Sequence, residues 1–405
     1  MERIVFVNRK IPLGITISLI AIGCAITFVL TWTVSLNIYN SKITSSDKYE
    51  GVYEKLQEMD AVVRANYIGQ IDDETLEFAI VNGYVNGIGD KYASYMQANT
   101  YYELRQTTSG VVNGAGLEVE EDGSGYLKVT QIYKGGSAES NGVKIGDIIT
   151  TIDGRSLLSM EPGTLAERIS GEIGTKLTLH ILRGGEESDV TLIRQQVDIE
   201  SVTGNLLDNG IGYIKIEAFN EKTPEQFSTA LNTLTEQNIK ALIIDIRQNG
   251  GGIVTALQPM LNKIIPAGAV AYAEYAGGAR RTLIETDSIE QLEMPIAILV
   301  DNGTASAAEL FAAVLRGESG AFLVGTRTYG KAVMQNTYEF SDGSALTLST
   351  ATIVPAKEPV YDGVGLKPDY SVELTEGSSP EYVSRDNDTQ LQKAIEVLTP
   401  KITVE

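Results

Sequence analysis

Apolar residues change their spacing several times along this chain, and each change predicts a different kind of element. From Ile11 to Leu36 the apolar run is nearly continuous, and no charged residue falls between Ile11 and Ser41. That exceeds the ~20 residues needed to span a bilayer as a helix. Over residues 46 to 105 apolar side chains recur three or four apart. Val52, Leu56, Met59 and Val63 share one helical face, as do Leu76, Ile80 and Tyr84, with Asp72 or Asp73 placed to cap the second helix. From residue 108 to 198 the texture becomes short strands between glycine turns: LKVTQIY, GDIITTIDG, TKLTLHILRG and SDVTLIRQ, with TLAERISGE as a short helix among them. This predicts one small β-rich module.

From residue 199 onward apolar strands and amphipathic helices alternate. IGYIKI and KALIIDIR flank a helix opening at Thr223-Pro224. VTALQPMLNKII and AAELFAAVL read as helices, and PIAILV, AFLVG, AVMQNTYEF and ALTLSTATIVP as strands. Alternation of this kind predicts an α/β domain. In the closing stretch DTQLQKAIEVL, residues Leu391, Ala394, Ile395 and Leu398 form one stripe, predicting a docked or dimerising helix. The expected division is a cytoplasmic tip and anchor at 1–42, a helical region at 43–107, the β-rich module at 108–198, the α/β core at 199–376 and a tail with a helix at 377–405.

Composition narrows the chemistry. A formal net charge of −21, with basic residues dispersed, argues against nucleic acid as a partner. One cysteine excludes an internal disulfide, and one histidine excludes a His-rich zinc site; no calcium loop is present, so neither metal nor cofactor is expected. Arg3, Arg9 and Lys10 precede the long apolar run, which orients a retained single-pass anchor with everything after Lys42 outside the cytoplasm. A cleaved signal peptide is the alternative, and a lipoprotein box at Cys24 fits less well.

Three stretches carry candidate chemistry. In DNGTASAAELF, Ser306 lies where a strand hands over to a helix, and Ser306 with Glu309 has the spacing of a capping box. The same position suits a nucleophile, because helix N-terminal amides stabilise a developing anion. The sole histidine, His180, lies far upstream in the β-rich module and reads as an ordinary strand residue, so a base for Ser306 must be a lysine. At a free pKa near 10.4, fewer than about one lysine in a thousand is neutral at pH 7, so that lysine must be held away from water. GTRTYGKAVMQ offers Lys331, with Gln335 four residues on, able to accept from the neutral amine if both share a strand face. IIDIRQNGGG ends a strand in Asp245 and Arg247, which would brace a glycine loop able to supply oxyanion-binding amides.

Taken in order, IIDIRQNGGG, DNGTASAAE, GTRTYGKAVMQ and GVGLKPD resemble the C-terminal processing peptidases, also called tail-specific proteases. The resemblance extends upstream through AIVNGYVNGIGDKYASYM and TSGVVNGAGLEVE, and so covers nearly all of the chain after the anchor. It implies a crotonase-like α/β protease core with an inserted PDZ domain. It implies Ser306 as nucleophile, Lys331 as general base and Gln335 as its orienting partner, with Ala307 and one of Gly251 and Gly252 holding the oxyanion. Glu309 and Thr328 fall on supporting positions. Gly114, Ala115, Gly116 and Leu117 stand where such PDZ domains bind a free C-terminal carboxylate. The expected partners are protein substrates presenting C-terminal tails. The resemblance also admits an activating partner protein and a homodimer. An inert PDZ scaffold is the alternative function. Ser170-Gly171 stands where the family often has Arg-Gly, and Thr304 replaces a usual serine.

Overall fold

In the run Ala241–Asp245 every residue is buried, and successive side chains enter two different cores. Leu242 and Ile244 join a cluster with Phe227, Leu231, Phe311 and Leu315, while Ala241 and Ile243 join one with Leu391, Ala394 and Leu398. The strand Ile296–Val300 divides in the same way, with Ile296, Ile298 and Val300 on one side and Ala297 and Leu299 on the other. A strand apolar on both faces is central and parallel, covered by helices above and below. Six strands form this sheet in the order 202–206, 211–216, 241–245, 296–300, 322–325, 370–371. The first pair is antiparallel and the rest are parallel.

The computed structural model describes residues 50–159, 169–289, 291–375, 377–380 and 382–402, with isolated positions 23, 27 and 31. The expected membrane segment lies outside this set but for those three positions, as does most of the expected helix TLAERISGE. Among the described residues no helix is long and apolar enough to cross a membrane.

The chain divides into two units between Ala79 and Ile80. In the first, residues 50–66 are helical, as their periodicity predicts, but Val52, Met59 and Val63 are exposed. Asp72 caps the next helix, its Oδ1 accepting from the N–H groups of Glu74 (3.0 Å) and Thr75 (3.2 Å).

The second unit holds the sheets. One face of the core sheet is covered by the helices Thr223–Glu236 and Ala307–Ser319, packed through Phe227 and Phe311 with ring centroids 6.3 Å apart. The first of these is capped by the Asn220 side chain, which accepts from Lys222 and Thr223 N–H, and Thr223 itself is helical. The other face is covered by the C-terminal helix Thr389–Ile402, so the stripe of Leu391, Ala394 and Leu398 docks within the chain. A second, antiparallel sheet contains strands absent from the sequence-based expectation: Ser94–Met96 and the pair Gly268–Tyr275 and Arg280–Thr286, joined to Val333–Glu339 and Ala345–Pro355.

The β-rich module forms its own sheet in the order 117–121, 127–132, 148–152, 176–183, 186–193, with a separate core. In GDIITTIDG the buried Asp147 is bonded by Arg183 through Nε (2.6 Å) and a terminal nitrogen (2.7 Å). His180 is a strand residue, its Nδ1 2.7 Å from Asp189, and that contact raises its pKa.

Candidate active site

The strand Ile296–Val300 delivers the chain to a turn at Asp301–Ser306, and the helix Ala307–Ser319 carries it away. Ser306, at the N-cap, has φ 56° and ψ −120°. A non-glycine residue in such a region costs ~1–3 kcal/mol and persists only where its surroundings dictate it. Those surroundings are hydrogen bonds to the neighbouring loop after Asp245. Ala305 N–H donates to Asn249 C=O (2.9 Å), Thr304 Oγ1 donates to Ile246 C=O (2.8 Å), and Asp301 Oδ1 accepts from Gln248 N–H (2.9 Å). Thr304 needs only its hydroxyl for this, which explains why threonine can stand in place of serine.

Glu309 is fully buried and collects four donors. Oε2 accepts from the N–H groups of Ser306 (3.0 Å) and Lys331 (2.8 Å), and Oε1 accepts from Gly330 N–H (2.7 Å) and Thr328 Oγ1 (2.5 Å). The backbones of Ser306 and Lys331 therefore bind one and the same oxygen. They cannot stand farther apart than those two bonds laid end to end. Tyr329 N–H adds a bond to Thr304 C=O (3.0 Å), and Thr328 Oγ1 accepts from Leu366 N–H (2.7 Å). Glu309 and Thr328, expected as supports, both lie in this hydrogen-bonded cluster.

The Lys331 side chain is half-buried, and burial lowers its pKa from the ordinary lysine value, against an opposing pull from Asp90. Its Nζ makes no hydrogen bond or ion pair among the described residues. It lies 5.1 Å from the centroid of the Tyr92 ring. Asp90, despite its own burial, is held below the usual carboxylate range by hydrogen bonds from Ser349 and Tyr92.

Gln335 departs from its expected placement. The strand begins at Val333, so Lys331 precedes it, and the ladder has an irregularity between Met334 and Gln335. Strand alternation orders side chains only within a strand, and Lys331 lies outside it. Gln335 Nε2 instead donates to the Tyr92 C=O (2.7 Å). Tyr92 and Asp90 went unnoticed in the sequence because nothing local ties GDKYAS to a lysine so far along the chain.

The glycine loop lies against Ser306. A Cβ at Gly251 would meet Ala305 O at 2.8 Å, Ser306 Cβ at 2.9 Å and Ala307 N at 3.0 Å. A Cβ at Gly252 would fall 2.0 Å from Phe219 O, so that position must be glycine too. Gly251 N–H is already bonded to Asn249 Oδ1 (2.8 Å), which removes it as an oxyanion donor. The Gly252 and Ala307 N–H groups have no partner among the described residues. Behind the loop, Arg247 is buried between Asp245 (2.6 Å) and Asp388 (2.8 Å), with Gln390 Oε1 accepting at 3.0 Å and Tyr213 donating to Asp245 at 2.8 Å. These carboxylates hold the Arg247 pKa above its ordinary value despite burial. Asp245 and Arg247 are thus paired with each other behind the loop, with a tie to the C-terminal helix that the sequence did not reveal.

In the β-rich module, the carbonyls of Ala115 and Gly116 turn inward to Ala138 N–H (2.8 Å) and Tyr133 N–H (2.9 Å). Gly116, at φ +80°, packs against Gly136, and Leu117 opens the edge strand of the sheet. The N–H groups of Ala115 and Gly116 have no partner among the described residues. Such an arrangement can receive a carboxylate in the loop and a peptide along the strand edge. At Ser170-Gly171 the neighbouring cation is Arg194, whose Nε would lie 2.9 Å from a Cβ on Gly171. A cavity of about 530 Å³ opens beside this point, lined in part by Ala98, Tyr101, Tyr102 and Arg105, and touches neither Ser306 nor Lys331.

Comparison with known proteins identifies the family. Residues 210–372 match peptidase family S41, and residues 128–183 match a PDZ domain. The carboxy-terminal processing protease CtpA of Bacillus subtilis (strain 168) is 30% identical over 382 residues, spanning 94% of this chain and 81% of that protein. A probable CtpA-like serine protease of Staphylococcus aureus (strain N315) is 28% identical over 368 residues, 90% of this chain and 73% of its own. The solved structure of a photosystem II D1 C-terminal processing protease aligns at 25% identity and a TM-score of 0.45, over 79% of this chain and 86% of that one. A mixed α/β peptidase core with a PDZ domain defines the class, a serine-type protease. The chain belongs to peptidase family S41, among the C-terminal processing proteases.

Proposed function

We propose that this protein is a membrane-anchored endopeptidase that captures protein C-terminal tails in its PDZ domain and cleaves them with a Ser306/Lys331 dyad. The observation that carries this reading is the Glu309 carboxylate, which binds the Ser306 and Lys331 backbones through one oxygen. Burial of Lys331 favours its neutral amine, the form able to take a proton from Ser306. Ser306 Oγ then adds to the scissile carbonyl. The oxyanion is received by the N–H groups of Ala307 and Gly252. Lys331, now an ammonium, returns its proton to the leaving amine, and an acyl-enzyme remains on Ser306. Water, deprotonated by Lys331, releases the new C-terminus. No metal or cofactor enters this sequence of steps.

The substrate's own terminal carboxylate would sit on the amides of Ala115 and Gly116 and its backbone along Leu117–Glu121, which selects tails by their end more than by side-chain identity. Residues 11–36 would hold the enzyme in the cytoplasmic membrane with the PDZ and catalytic parts outside. The same proposal includes the domain division at 42, 107, 198 and 376, an activating partner and a homodimer.

The test uses the full chain in detergent with a tail peptide. Ser306→Ala and Lys331→Ala should each abolish cleavage and fluorophosphonate labelling, with unfolding midpoints near wild type. Wild-type activity should rise with pH, because a lysine base works only after losing its proton. Amidating the peptide C-terminus should raise KM. Undiminished cleavage by Lys331→Ala would sink the mechanism.

A further inference from the structure

Tyr92 is clamped at three points. Its N–H donates to Asp90 Oδ1 (3.0 Å), its C=O accepts from Gln335 Nε2 (2.7 Å), and its hydroxyl donates to the Gly330 C=O (3.3 Å). Asp90 is itself fixed to the neighbouring strand by Ser349, through N–H (2.8 Å) and Oγ (3.0 Å). The clamp sets the ring over Lys331 Nζ. We propose that Tyr92 is a positioning residue for the general base: its ring is the cover that keeps water from Lys331 Nζ, and Gln335 serves the lysine through Tyr92. This rests on the reading of Lys331 as base.

Other charged and titratable groups also surround Lys331. Asp90 attracts the ammonium from the same segment as the ring. Lys91 lies 4.4 Å from the ring centroid, closer than Lys331, and already engages the negative ring face. For Lys331 the ring therefore acts chiefly as apolar cover. Glu309 holds the Lys331 N–H, Asp362 holds the Ala332 N–H (3.0 Å), and Tyr361 is buried nearby with its own pKa raised by that burial. Removing the ring admits water to the ammonium and leaves Asp90 to stabilise it further. Both changes make Lys331 harder to deprotonate.

The experiment is the pH dependence of Ser306 labelling by a fluorophosphonate, with kcat and KM for a tail peptide, on the full chain in detergent. Tyr92→Ala should lower labelling and kcat near neutral pH about tenfold or more, while the alkaline plateau changes less than about twofold. KM should hardly move. Tyr92→Phe keeps the ring and should keep the wild-type profile. Gln335→Ala should move the profile in the same direction, and adding it to Tyr92→Ala should produce no further shift. Equal loss at every pH, a shift to lower pH, or additive effects would overturn the proposal. Should Tyr92→Ala fail to fold, Tyr92→Phe and Gln335→Ala carry the same test. If Lys331→Ala labels like wild type, the base reading itself fails. If Lys331→Ala is inert while Tyr92→Ala keeps the wild-type profile, only the cover fails.

Discussion

Glu309→Gln isolates the bond that joins Ser306 to Lys331, the nucleophile and base we propose. The change preserves shape and removes half of the accepting capacity. Glutamine has one acceptor oxygen where the carboxylate has two. Turned toward Ser306 and Lys331, that oxygen keeps both of their N–H bonds and leaves the amide nitrogen facing Thr328 and Gly330. Thr328 already accepts from Leu366 N–H, and its own hydroxyl loses its acceptor. Gly330 N–H then faces another donor in a site with no exposure. Each buried donor left unpaired costs about 1–3 kcal/mol, so the two together cost about 2–6 kcal/mol. The opposite orientation orphans Ser306 and Lys331 N–H and is no cheaper. Urea unfolding followed by circular dichroism gives the stability change, and the labelling rate of Ser306 gives the effect on the site. A displacement near 1 Å in the turn should slow labelling by about tenfold to a hundredfold. Stability within about 0.5 kcal/mol of wild type, with unchanged labelling, would refute the assignment of Glu309 as the shared anchor.

Two further substitutions probe the loop behind Ser306. Gly251→Ala places a Cβ within 3.0 Å of Ala305 O, Ser306 Cβ and Ala307 N and forces φ +103° on alanine. Cleavage should fall at least about a hundredfold with far-ultraviolet circular dichroism unchanged, since the perturbation falls on the oxyanion side of the serine. Asp388→Ala removes one of two carboxylates from a guanidinium that is only 2% exposed. It should destabilise the protein by about 3–5 kcal/mol in urea.

The residues of the site were legible in the sequence where chemistry is local. Ser306 and Glu309 are three apart on one helix start, Asp245 and Arg247 flank one turn, and Lys331 follows a glycine at a strand entry. Each pattern restricts the residue types that can stand there. The docked C-terminal helix was half legible, because an apolar stripe reports that a face is buried and not what buries it. Bonds between distant segments were not legible. Gln335 reaches Tyr92 across 243 positions and Arg247 reaches Asp388 across 141, and no periodicity encodes either pairing. The Gln335 contact was not legible for a related reason, since the strand-face argument needs both residues in one strand and the strand begins only at Val333. The hairpin of Gly268–Tyr275 and Arg280–Thr286 carries no motif, and its interrupted register blurs the alternation that would have announced it.

That division has a physical consequence for the lysine base we propose. An imidazole titrates near neutrality unaided, whereas an ammonium does so only when kept dry. Here the position of Lys331 is set by Glu309 and by Gly330, where a Cβ would meet Gly365 N at 2.7 Å and Val364 N at 3.0 Å. Its basicity, on our proposal, is set by a ring that arrives from residues 90–92. Position and basicity can therefore fail separately. A change that loosens the segment around Tyr92 would leave Ser306, Glu309 and the oxyanion amides in place and still silence the enzyme at neutral pH, by wetting alone. Recovery of cleavage at high pH separates such a loss from a misplaced nucleophile, which no change of pH repairs.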